Sequence, residues 1–144
     1  MKIKTLFAAV MFAAALFCAG EARAQWSPVE MAKMVLEEMN TNSVKKQMLA
    51  DGTFDEFIVD PNAREGTVVV LQFKLASPET DFSAMGAEEK AAFMDNIAKT
   101  YIIDPYIEEG LGSKARERYR KNGVKYKILV SDKKGNKESR IVEF

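Results

Sequence analysis

Two stretches of strict alternation commit this chain to a sheet with one buried face. Across residues 124–131, Val124, Tyr126, Ile128 and Val130 alternate with Lys125 and Lys127. Across 67–75, Val69, Leu71, Phe73 and Leu75 share one side while Gln72 and Lys74 share the other. A period of two belongs to a strand with a buried face and a wet one. Residues 54–59 and 137–144 read as further strands. Residues 61–66 form the loop of the first hairpin and 132–136 that of the second, with Gly135 placed for a bulge.

Helical signals fill the rest. Ser27-Pro28-Val29-Glu30 combines a capping hydroxyl, a first-turn proline and the glutamate of a capping box. Val29, Met31, Ala32, Val35, Leu36 and Met39 then form an apolar side, opposite Glu30, Lys33 and Glu37. Residues 40–43 interrupt this helix, and 44–50 add a turn or two. A helix over 87–102 carries Phe93, Met94, Ile97, Ala98 and Tyr101 on one stripe. Asp104-Pro105 predicts a stop and a new start. Ser113 predicts a capped restart running to Asn122, ended by Gly123. The order helix, hairpin, helices, hairpin predicts an α+β class: a two-layer domain with an antiparallel four-stranded sheet and helices on one face. A cone-like α+β fold, its curved sheet wrapped around a pocket, fits the same order.

The N-terminus reads as an address. Lys2 and Lys4 precede an apolar run over residues 6–18, and Ala22-Arg23-Ala24 supplies a small-x-small cleavage site. Cleavage after Ala24 predicts one exported domain, residues 25–144, periplasmic or secreted, that meets a membrane only during export. Lipidation of Cys18 is the alternative, although Phe17 stands where a small residue is wanted. Removing the leader leaves 18 basic and 20 acidic side chains, a net charge of −2, with no cysteine and no histidine. Thiol and imidazole catalysis and ordinary zinc sites are thereby excluded from the mature domain. A near-neutral balance gives no steering toward nucleic acid.

The first helix, the Asp51-Gly52-Thr53-Phe54 lead into a hairpin and the broken helix resemble small exported bacterial proteins of unknown function. So do Gly123-Val124-Lys125-Tyr126, the turn at 132–136 and the final strand. The resemblance implies export and an α+β domain, and it transfers no site.

Candidate chemistry is sparse. Asp51, Asp55, Glu56 and Asp60 gather around the first hairpin, but Arg64 and Gly66 break a calcium-loop pattern, and solvated carboxylates explain them as well. Glu108 and Glu109 suit a first helical turn. The strongest local charge is basic: Lys114, Arg116, Arg120, Lys121, Lys125 and Lys127, with Arg118 among them and Tyr119 and Tyr126 interleaved. Met34, Met85 and Trp26 are further interface candidates. The expected function is a non-catalytic binding protein of the cell envelope, without metal or cofactor. Its basic segment 114–127 would meet an envelope protein or an anionic polymer. A small-ligand carrier, with a pocket lined by Phe73, Phe93, Tyr101 and Tyr126, is the second reading. A carboxylate-dependent hydrolase is the third.

Overall fold

The computed structural model describes residues 27–60 and 64–144. The expected leader at 1–24, Trp26 and residues 61–63 of the first loop lie outside the described residues. Helix α1, Pro28–Met39, opens with the expected capping box. Ser27 Oγ accepts the Glu30 amide at 3.2 Å, and the Glu30 carboxylate accepts the Ser27 amide at 3.0 Å. Met31, Ala32, Val35, Leu36 and Met39 form its buried face. Val29 was expected among them but is 39% exposed. At 100° per residue it lies about 90° from the centre of that face. Helix α2, Asn42–Leu49, starts earlier than expected because Thr41 Oγ1 accepts the Val44 amide at 3.3 Å.

The class is α+β, with an open sheet. Its strands are β1 (Phe54–Ile58), β2 (Arg64–Glu65), β3 (Val68–Leu75), β4 (Lys125–Ser131) and β5 (Lys137–Glu143), in the order β1-β3-β4-β5, with short β2 paired to the start of β3. The β1–β3 and β4–β5 pairs are antiparallel, but β3 and β4 run parallel, so the sheet is mixed and the expected all-antiparallel arrangement is overturned. Alternation fixes which side chains face the core and says nothing of strand direction. Direction is set by the connection, and parallel neighbours need a long crossover. Here residues 76–124 supply it. The register pairs Val69 with Tyr126, Leu71 with Ile128 and Phe73 with Val130. A slip of one residue would turn one strand's apolar set to the other face.

The crossover holds a 3-10 turn (Phe82–Ala84), α3 (Ala87–Ala98), a π-helical segment (Lys99–Glu108) and α4 (Ser113–Lys121). Asp104-Pro105 does not stop the helix as expected. The backbone widens instead, and the Glu109 amide donates to the Asp104 carbonyl, five residues back, at 3.0 Å. Widened turns of this kind are rare and cluster at functional sites. Buried Gly110 closes the segment, where a Cβ would lie 2.9 Å from the Pro105 carbonyl oxygen and 3.0 Å from that of Tyr106. Nor does Ser113 cap α4: it is the first helical residue, and Gly112 precedes it without a side-chain bond. Gly123, at φ +71°, turns the chain from α4 into β4, and its carbonyl accepts Thr67 Oγ1 at 2.7 Å.

One polar node fastens the crossover to the second hairpin. Asp132, the buried charged residue among those described, accepts the amides of Phe82, Lys134 and Asn136 and the Asn136 side chain, each at 2.9 Å. Beside it, Asp81 accepts Lys134 Nζ and Ser83 Oγ, each at 2.6 Å. Burial alone would raise the Asp132 carboxyl, but these bonds outweigh it and hold it below its ordinary value. The Lys134 and Ser83 bonds bring Asp81 down to about 2. A lowered folded-state pKa contributes stability above the unfolded value that is lost as pH falls through the folded one. The urea midpoint is therefore expected to fall between pH 4 and pH 2. In Asp132→Asn the midpoint should be lower at pH 7 and the acid decline shallower. An identical acid decline in the variant would contradict the assignment.

Candidate binding cleft

The face of β5 that meets α3 carries Glu138, Arg140 and Val142, the partners of Val130, Ile128 and Tyr126 in the ladder. Lys90 reaches Glu138 at 3.5 Å, and Asp95 pairs with Arg140, so α3 is tied to β5 at two levels. Below the second tie α3 ends and the π-helical segment begins. A cleft of about 550 Å³ opens there, within the ~300–1,000 Å³ typical of ligand sites.

Asp95, Lys99, Ile103, Asp104 and Glu108 form its helical wall, and residues 140–143 form the other. The second wall draws on both faces of β5: Arg140 and Val142 from one, Ile141 and Glu143 from the other. The cleft therefore runs along the strand's edge. Four carboxylates and two cations line it, and each carboxylate has a cation. Asp95 meets Arg140, Asp104 meets Lys99 at 3.0 Å, Glu108 holds both terminal nitrogens of Arg116 at 3.1 Å, and Glu143 meets Lys125 at 3.5 Å. Exposed pairs of this kind contribute only ~0.2–1 kcal/mol each. Their role is to orient the walls. Apolar contact is offered by half-buried Ile103 and by Ile141, 49% exposed.

The six basic residues of the expected partner surface do not converge. Lys114, Arg116, Arg120 and Lys121 are on α4, whereas Lys125 and Lys127 are on β4, on the sheet face opposite the core. Arg116 and Lys125 neutralise carboxylates of the cleft, Lys121 pairs with Glu117 at 3.3 Å and Lys127 with Glu65 at 3.3 Å. Lys114, Arg118 and Arg120 make no ion pair with the described residues. The four aromatics of the expected pocket do not line the cleft. Phe73 packs against Phe54 at 4.7 Å and Phe57 at 4.9 Å, Tyr101 against Phe54 at 4.8 Å, Phe93 against Phe82 at 5.5 Å and Tyr126 against Phe144 at 4.9 Å. Of the first-hairpin carboxylates, Asp51 accepts the Tyr101 hydroxyl, Asp55 meets Lys133 and Glu56 meets Lys74. Among the described residues no group of three or more acidic, cysteine or histidine side chains is arranged to hold a metal. Met34 and Met85 are half-buried, Met85 against the core.

Sequence patterns gave no sign of a polar cluster inside the domain. Glu38 Oε2, Arg116 Nε and the Tyr126 hydroxyl are buried without a hydrogen-bond partner among the described residues. Burial, then the neighbouring Glu37 charge, raises the Glu38 carboxyl. Burial pushes Tyr119 up to about 12 and Tyr126 well above the ordinary tyrosine value. Tyr106 differs in having a partner, donating to Gln47 Oε1 at 2.6 Å.

Comparison with protein-family models, curated proteins and solved structures finds no match to this chain.

Removing a hydroxyl that lacks a partner costs little, while breaking a buried hydrogen bond costs about 0.5–1.5 kcal/mol. Tyr126→Phe is therefore expected to leave the denaturation midpoint unchanged or higher, and Tyr106→Phe to lower it. An equal loss in both variants would contradict the contrast.

Proposed function

We propose that this protein is an exported, non-catalytic binding protein of the bacterial cell envelope, working as the mature domain 25–144 after cleavage behind Ala24. In this reading the domain is a two-layer plate, with the helices over the sheet face that carries Val69, Leu71 and Phe73. The likeness to small exported bacterial proteins of unknown function belongs to the same proposal. The observation that carries it is the cleft between β5 and the π-helical segment, open along a sheet edge and lined by carboxylates that each face a cation. Shape and apolar contact at Ile103 and Ile141 then serve recognition, with the paired charges setting orientation.

A second binding surface is favoured by one observation. Lys114 and Arg120 are exposed on α4 and engaged in no ion pair among the described residues. They would serve an anionic polymer or an acidic envelope protein, attracted over a Debye length of about 8 Å at physiological salt.

Immobilised 25–144 separates the two surfaces when exposed to envelope extract. Ile141→Glu is expected to abolish retention of the cleft's partner while the thermal midpoint holds. Lys114→Glu with Arg120→Glu should leave that partner bound and release only material that high salt also releases. Retention unaffected by either variant would overturn both site assignments.

A further inference from the structure

Strand β5 ends the sheet, and its pairing with β4 fixes which of its backbone groups stay open. The Asp132 amide donates to the Asn136 carbonyl at 2.9 Å, and the ladder continues with Ser131 opposite Lys137. Hydrogen-bonded and non-bonded pairs alternate along an antiparallel ladder. Glu138, Arg140 and Val142 therefore bond to β4, while the amides and carbonyls of Ser139, Ile141 and Glu143 point out from the sheet. The last two of these border the cleft. The first half of β5 is blunted by Lys137, Glu138 and Arg140, a common protection of sheet edges. The second half carries a single charge, Glu143, and presents Ile141, the most exposed large hydrophobic residue among those described. Across the cleft the opposite wall is helical.

We propose that the cleft takes an extended, basic peptide segment, which adds to β5 as a further strand between it and the π-helical segment. The proposal rests on the binding reading above and names its partner. Edge addition draws affinity from backbone hydrogen bonds and specificity from alternate side chains. The outward groups of Ile141 and Glu143 supply the backbone bonds. Glu108 and Glu143 take their cations, Arg116 and Lys125, from outside the lining, so the surface that faces an incoming strand shows four carboxylates and two cations. Cationic side chains on that strand complement it, and apolar ones between them meet Ile141 and Ile103.

The test uses the peptide acetyl-TKVKVT-amide against the mature domain, read by amide chemical shifts. Changes are expected at residues 139–143 and 99–108, with NOEs between the peptide backbone and β5. The same peptide N-methylated at alternate residues should bind at least tenfold more weakly, as should acetyl-TEVEVT-amide. Ile141→Pro removes the outward amide together with the Ile141 side chain, so Ile141→Ala is its control: the proline variant should bind about tenfold more weakly than the alanine one, with the remaining spectrum unchanged. Glu143→Lys tests charge without touching the backbone and should also weaken the basic peptide. Equal binding of the N-methylated peptide would overturn strand addition while leaving a binding cleft intact. Absence of shifts with every peptide overturns the proposal. If the β5 shifts move on dilution of the free protein, the edge pairs with a second copy, and the proposal also fails. Failure of the binding reading is separately visible as extract retention that Ile141→Glu does not change.

Discussion

The parallel pairing of β3 with β4 sets the rest of the architecture. Seven paired positions join Val68–Leu75 to Lys125–Ser131, and parallel neighbours cannot be joined by a tight turn. The chain must travel from the end of the sheet where β3 finishes to the opposite end, where β4 begins, and residues 76–124 make that journey. α3, the π-helical segment and α4 are all parts of this return. Because β5 follows β4 through a short hairpin, it is left as the outer strand, beside the middle of the crossover. The cleft is thus a consequence of topology: it lies where the returning chain runs alongside the last strand without covering its edge.

Two local devices hold this geometry. The Asp132 node grips the Phe82 amide from the hairpin loop, so the start of the crossover and the turn between β4 and β5 are fixed to each other. At the other end of the helical run, Gly110 lets the chain pass against the carbonyls of Pro105 and Tyr106 with no Cβ in the way. Between them the helix is widened, and this widened stretch forms much of the cleft's helical wall. The ion pairs around the cleft contribute little stability singly, but Asp95–Arg140 joins its two walls and Arg116–Glu108 ties the helical wall to α4.

β3 and β4 were legible because one-sided burial writes itself into sequence as a period of two, β1 and β5 because turn residues bound them, and the capping box at Ser27 because it is local. Strand direction was not, since Val69–Leu71–Phe73 bury the same side whichever way a neighbour runs. The Asp104-Pro105 pair carried a true signal that was read wrongly: proline does disturb an α-helix, but here the backbone absorbs it by widening. The basic residues at 114–127 are contiguous in sequence, yet Gly123 divides them between a helix and a strand, and acidic residues remote in sequence, such as Glu65 and Glu143, claim several of them. No periodicity announces such pairs. The cleft was invisible for the same reason, its walls being ordinary helix and strand residues brought side by side by the crossover.

The account's central claim is that β5 presents an open edge in the free protein. Residue-resolved amide hydrogen exchange of 25–144, without any ligand, tests it most directly. The account predicts alternation along the strand, with slow exchange at Glu138, Arg140 and Val142 and fast exchange at Ser139, Ile141 and Glu143. Uniform protection through 138–143 would contradict it, because the edge would then already be covered.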